Sequence, residues 1–234
     1  MTDSTKDSGS CDRLKKDFFE CSCEQLARKL LGQRLVRILA DGRRLSGRIV
    51  ETEAYVGAED KAAHSYKGKR TARNEAMFMQ PGTAYVYHIY GTLTCVNVSS
   101  QGEGHAVLIR ALEPEEGLPQ MKKHRGVKRA DGGEGLKLTD LASGPSKLTQ
   151  ALSINRAEFD KEDLVSCKRL WLEEGSLGAD EQVVSTARVG IEKAEEWASK
   201  PLRFYLKGCN SVSVIDKKAE AELQYEVRLL LVQP

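Results

Sequence analysis

The sequence predicts a single domain of mixed α+β class, and three observations carry that expectation. Its 234 residues suffice for one substantial core, with no break in composition that forces a second. Runs with a period of two, rich in β-branched and aromatic residues, are separated by turn signals such as Asp41-Gly42 and Gln101-Gly102-Glu103-Gly104, which mark hairpins. Short helical patterns with their own start signals, at Ser22 and at Ser143-Gly144-Pro145, interrupt those runs.

In chain order, residues 1–17 are polar and aperiodic and read as a disordered N-terminal tail, leaving 18–234 for the domain. Ser22 with Gln25 makes a capping box ahead of Leu26, Leu30 and Leu31, and Gly32 supplies the stop of a short helix. Strands are expected over 34–39 and 45–56, joined across Ala40-Asp41-Gly42. The second is the centre of interest. A period of two puts Ile49, Glu51, Glu53 and Tyr55 on one face, so two carboxylates and a tyrosine stand where a packed strand wants apolar side chains. Two readings stand: an edge strand with solvated glutamates, or a desolvated pair whose raised pKa suits base catalysis.

Residues 59–74 form a basic loop in which Lys67, Lys69, Arg70 and Arg73 crowd around Gly68; it is either a solvated loop or a phosphate contact. His64, in the same loop, is structural or catalytic. Strands over 83–89 and 92–98 follow the Pro81-Gly82 turn, with Tyr85 and Tyr87 on one face. Tyr90 falls beside Gly91 at the hairpin tip, either as a ring folded back on the core or as a wedge for a base stack. The strand at 105–112 carries Arg110 in an apolar row, so it must pair with an acid, and Glu51 and Glu53 are the free carboxylates in neighbouring strands.

Pro114 can open a helix to about residue 123, and the charged, glycine-rich stretch 124–137 reads as a flexible loop. Ser143-Gly144-Pro145-Ser146-Lys147 then opens a helix to about residue 153, whose N-terminus and Lys147 can hold an anion or simply cap. Further expectations are a one-turn helix at 160–166, strands at 169–173, 183–189, 202–206 and 212–215, and a short helix at 192–198; residues 216–234 give no assignment.

A formal charge of +2 is too mild to imply nucleic acid by itself, so any basic footprint must be local. The absence of a long apolar run or signal-like segment predicts neither membrane insertion nor secretion. Six cysteines, Cys11, Cys21, Cys23, Cys95, Cys167 and Cys209, contain no C-x-x-C pair, which argues against zinc and for reduced thiols in a nuclear or cytosolic compartment.

Seven blocks in order, VETEAYVGAEDKAAHS, MFMQPGTAYVYHIYG, NVSSQG, VLIRALEP, SGPSKL, ARVGI and WASKPLRFY, closely resemble the eukaryotic alkyladenine (3-methyladenine) DNA glycosylases. The resemblance implies a curved antiparallel β-sheet with surrounding helices, no metal or cofactor, and a nuclear monomer acting on double-stranded DNA. It implies extrusion of a damaged purine, such as 3-methyladenine, hypoxanthine or ethenoadenine, and hydrolysis of its N-glycosidic bond. By that resemblance Glu53 is the general base, Arg110 and the Val189 carbonyl hold the attacking water, and Tyr90 intercalates. Tyr55, His64 and Tyr87 would form the base pocket, with Asn97 excluding the amino group of guanine. Glu51 matches no catalytic role. After Gly91 the chain has Thr92, Leu93 and Thr94 where relatives carry bulkier residues, which leaves less bulk at the hairpin.

A monofunctional DNA glycosylase and a non-catalytic nucleic-acid-binding module are the competing functions, and Glu53 separates them. A binding module has no use for a carboxylate near the phosphate path, whereas hydrolysis needs a base. A lyase activity would need an amine in the pocket, and no matched pocket position is a lysine.

Overall fold

The computed structural model describes residues 12–89, 91 and 93–232, with side chains as far as 225. Among the described residues, eight strands build one antiparallel sheet: β1 (Arg34–Ile38), β2 (Arg44–Val56), β3 (Ala84–Ile89), β4 (Leu93–Ser99), β5 (His105–Glu116), β6 (Leu170–Glu173), β7 (Val183–Thr186) and β8 (Arg203–Leu206). Their order is β3-β4-β5-β2-β1-β6, with β7 and β8 added where β8 pairs with the second half of β2. The sheet is strongly curled, as the α+β expectation requires.

The α-helices among the described residues are α1 (Lys16–Phe19), α2 (Cys23–Lys29), α3 (Leu118–Gly126), α4 (Pro145–Ala151), α5 (Arg156–Phe159) and α6 (Lys217–Val232). α2 begins at the expected capping box, both reciprocal bonds of Ser22 and Gln25 being present. The helical residues Leu26, Leu148 and Phe159 pack with Ala54, Val86, Val96, Val107 and Ile109 in one core on one face of the sheet. Each fully buried side chain of this size contributes about 1.5–3 kcal/mol.

Strand β2 is central, not an edge. Its first half pairs with β1, its second half with β8, and its whole length with β5. Besides a shift at Ser46/Gly47, two opposed bulges interrupt the β2–β5 ladder: Val50 has no partner between Ile49↔Leu112 and Glu51↔Ala111, and Arg110 has none between Glu51↔Ala111 and Thr52↔Ile109. The first breaks the expected row, so Ile49 joins the hydrophobic core with Val50 while Glu51, Glu53 and Tyr55 turn to the other face. The second re-aims the Arg110 side chain, a frequent use of bulges beside functional sites.

Several expectations differ from the structure. Residues 1–11 lie outside the described residues, but 12–17 are not a tail: Leu14 is buried and Arg13 bridges to Glu173 and lies over Trp171. Pro114 lies within β5 opposite Gly47, where the ladder shifts, and α3 starts only after Gly117 at φ +76° with Pro119 in its first turn. The stretch 124–137 begins as the last turn of α3 and continues as turns that Asp131 fastens through the backbone N–H groups of Gly133 and Gly135.

The single turn expected at 160–166 forms earlier, as α5, because Asn155 caps it. Asp163 instead bridges to Thr83. The strand read over 183–189 ends at Thr186, since Arg188 and Val189 turn inward to other partners. Residues 212–215 are no strand, because the Ser213 N–H and the Val214 carbonyl bond to side chains rather than to a neighbouring strand. α6, which the sequence left unassigned, is capped by Asp216, whose Oδ1 accepts from the Lys218 and Ala219 N–H groups at 3.1 Å each.

Candidate active site

Register explains how the site assembles. Glu53 pairs with Leu108, Leu108 with Asn97 and Asn97 with Tyr85, one transverse row across β2, β5, β4 and β3 on the face away from the helical core. Over this face opens a cavity of about 640 Å³ whose lining includes Tyr55, His64, Tyr87, Asn97, Arg110 and Val189. Six of the residues expected in the site from sequence thus border one space.

The seventh, Glu53, lies just beneath it, wholly buried and held by three of its neighbours. Oε1 accepts from the Val189 N–H at 2.7 Å and lies 3.3 Å from Arg110 Nη1, while Oε2 accepts from the Tyr55 hydroxyl at 2.9 Å. All three holders border the cavity. Burial, and after it the negative charge of Glu53, pushes the Tyr55 hydroxyl well above its ordinary pKa, which keeps it a donor to the carboxylate. Val189 reaches Glu53 by its N–H, leaving its carbonyl a separate acceptor.

Glu51 has a different environment. Its Oε1 accepts from Arg110 Nε at 3.2 Å and Arg203 Nη1 at 2.9 Å, and its Oε2 from the Ser213 N–H at 2.8 Å. It ties β2, β5, β8 and the 212–215 stretch together. Two carboxylates and two guanidiniums therefore share one buried cluster with no formal net charge. Burial alone would lower the Arg110 pKa, but the charges of Glu53 and Glu51 outweigh it and raise it.

Above the carboxylates sits an aromatic wall. The Tyr85 and Tyr87 ring centroids are 5.0 Å apart, and the His64 ring meets Tyr87 edge-on at 4.7 Å. His64 Nδ1 is 2.7 Å from the Tyr85 hydroxyl. Burial, reinforced by the Arg73 and Lys69 charges, lowers the His64 pKa, and burial raises that of Tyr85. A neutral imidazole accepting from Tyr85 at Nδ1 carries its proton on Nε2. Asn97 is fixed by its Nδ2 donating to the Tyr85 carbonyl at 3.0 Å.

The basic loop divides. Arg70 is ion-paired to Glu75 at 2.6 Å, and Arg73 borders the cavity, donating to the His88 carbonyl at 3.1 Å with its guanidinium 5.5 Å from the Tyr87 centroid. Lys67 and Lys69 have no carboxylate partner among the described residues, and Lys147 donates to Ser143 Oγ at 3.2 Å. None of Lys67, Lys69, Arg70 and Lys147 borders the cavity. Tyr90 and Thr92 lie outside the described residues.

Residues 17–210 match the family model described as methylpurine-DNA glycosylase, which is most of the chain. The chain belongs to the methylpurine-DNA glycosylase family. It is 53% identical over 218 residues to the DNA-3-methyladenine glycosylase of Homo sapiens, covering 92% of this chain and 73% of that protein. To the mouse protein of the same name it is 54% identical over 211 residues, 89% of this chain and 63% of the relative. To the probable DNA-3-methyladenine glycosylase of Encephalitozoon cuniculi it is 49% identical over 196 residues, 84% of this chain and 90% of the relative. As a methylpurine-DNA glycosylase the chain is an enzyme that acts on DNA.

Sequence reasoning missed Tyr85, Asp60 and Arg188 as supports of this site. Tyr85 could have been found, since it shares a face with Tyr87; Arg188 and Asp60 gave no local signal.

Proposed function

We propose that this glycosylase flips alkylated or deaminated purines, among them 3-methyladenine, hypoxanthine and ethenoadenine, out of duplex DNA and hydrolyses their N-glycosidic bond with a water activated by Glu53. The observation that carries the reading is a fully buried carboxylate directly under an aromatic-walled cavity, held by three groups that all border that cavity. The water oxygen bonds to the sugar C1′ while the C1′–N bond breaks, its electron pair leaving with the base and the water proton passing to Glu53. The negative charge of Glu53 also favours the oxocarbenium-like sugar.

In this reading Tyr55, His64 and Tyr87 contact the flipped base, Asn97 meets the position of the guanine amino group, and Arg110 with the Val189 carbonyl orients the water. Tyr90 fills the vacated stack, and Lys67, Lys69, Arg70, Arg73 and Lys147 supply phosphate contacts. A binding module gains nothing from burying Glu53, and no lysine among the described residues borders the cavity to serve a lyase. The enzyme acts as a nuclear monomer, which light scattering and imaging of a fluorescent fusion test. Base release from duplexes carrying each of the three lesions, by wild type and Glu53→Gln, tests the chemistry: full release by the variant removes Glu53 from the role.

A further inference from the structure

Two of the three groups that hold Glu53 trace back to one ion pair outside the cavity. The Arg188 and Asp60 side chains are wholly buried, with Nη1 2.6 Å from Oδ2 and Nη2 2.8 Å from Oδ1. Nη1 also donates to the Ala54 carbonyl at 2.9 Å. Asp60 in turn accepts from the N–H groups of Val56 at 3.1 Å and Ala62 at 3.0 Å, which fastens it to the end of β2. The guanidinium carbon lies 4.6 Å from the Tyr55 ring centroid. Tyr55 borders the cavity and Arg188 does not, so the guanidinium backs the ring from the protein side. The residue after Arg188 is Val189, whose N–H reaches Glu53.

We propose that Arg188, clamped by Asp60, is the positioning residue for Glu53. One rigid guanidinium sets the plane of the Tyr55 ring, and so the direction of the hydroxyl that donates to Oε2. The same group pins the turn that aims the Val189 N–H at Oε1. Stability is a weak explanation for such a pair, because buried ion pairs replaced whole by apolar residues often leave a fold equally stable. Geometry is the stronger one. A bidentate guanidinium has a fixed orientation that an ammonium lacks, and a displacement of about 1 Å at a reacting group can cost about a hundredfold in rate.

The inference rests on Glu53 being the base, and its test keeps the two apart. Arg188→Lys and the double variant Asp60→Asn/Arg188→Met are compared with wild type by thermal melting, affinity for lesion duplex and the pH profile of single-turnover base release. Arg110 on β5, Tyr87 on β3, Cys95 on β4 and Tyr55 on β2 are the other charged or titratable groups facing Glu53, and none is altered. Looser donors stabilise the carboxylate less. The expected result is an acidic limb moved to higher pH by about one unit, and a plateau rate lowered about tenfold, with duplex affinity kept.

A structural role alone would lower the melting temperature and leave the limb in place. A wild-type limb and plateau in folded variants overturn the positioning role. If the double variant does not fold, Arg188→Lys carries the comparison. Glu53→Gln runs alongside: full release there brings down the base assignment, whereas an inactive Glu53→Gln with unaltered Arg188 variants brings down only the positioning.

Discussion

Arg110 bridges Glu51 and Glu53, its Nε 3.2 Å from an oxygen of the first and its Nη1 3.3 Å from an oxygen of the second. One cation thus serves a structural acid and the proposed base. The two carboxylates differ in their remaining partners: Glu51 is turned to Arg203 and Ser213, Glu53 to groups at the cavity floor.

Glu51→Ala should therefore be a stability variant. It leaves Arg203 and part of Arg110 buried without a counter-charge, and breaking a buried pair in this way costs about 3–5 kcal/mol. Urea unfolding measures it, and a loss under about 1 kcal/mol would contradict the role assigned to Glu51.

Glu53→Gln keeps the shape: its amide oxygen can accept from the Val189 N–H, while the Tyr55 hydroxyl rotates to accept from the amide NH2 in place of donating to Oε2. Arg110 keeps Glu51 but loses the Glu53 charge, so the variant should be destabilised by up to about 3–5 kcal/mol in urea unfolding, yet bind lesion duplex with unaltered affinity while folded and lose base release by at least about a hundredfold in single-turnover kinetics. Retained release would point to Glu51 as the next candidate.

The basic loop makes a graded prediction. Neutralising Lys67 or Lys69, which have no carboxylate partner among the described residues, should reduce the slope of log affinity against log salt by about one unit. Neutralising Arg70 should change it less, because Glu75 already balances that charge at 2.6 Å. Slopes unchanged from wild type in single variants of Lys67, Lys69, Arg70 and Arg73 would show that the loop is merely solvated.

His64 should titrate below the 6.5 of free histidine, since burial and then the Arg73 and Lys69 charges disfavour its protonated form. A histidine depressed in this way contributes stability that is complete above its unfolded pKa and is lost as pH falls through the folded one. An imidazole NMR titration reports the midpoint directly, and Arg73→Gln should move it upward. A midpoint above 6.5 in the wild type contradicts the assigned environment.

Tyr90→Ala separates the two sequence readings of that residue. As a wedge, its loss should leave the melting temperature nearly unchanged and reduce the flipping signal of a fluorescent base; as a core ring, its truncation should cost about 3–5 kcal/mol. With Thr92 and Leu93 beside it offering little bulk, the flipping loss is expected to be severe.

What the sequence made legible followed from local rules. The period of two singled out Glu53 and Tyr55, the apolar row around Arg110 demanded an acid, and the capping box placed α2. The illegible part depends on pairing between distant segments. Nothing near Val50 or Arg110 announces a bulge, yet those two bulges bring Arg110 between the two glutamates. Pro114 looked like a helix start, because its position opposite Gly47 at a ladder irregularity is a property of β2 as much as of β5. Arg188 falls in the expected strand 183–189 without any sign of a partner, and only the folded chain brings it to Asp60, 128 residues away. Asn97 entered by resemblance alone, though correct register across β4 and β5 would have placed it in the same transverse row as Glu53, with Leu108 between them.

That transverse row has a consequence for when activity appears during folding. Glu53, Leu108, Asn97 and Tyr85 come from four strands, and β2 must wait for β5, made some fifty residues later, before Glu53 has its neighbours. On the proposed reading, a partly folded chain could reach DNA through its basic residues but would release no base, because Glu53 acquires its holders only after these strand pairings close and Val189 docks.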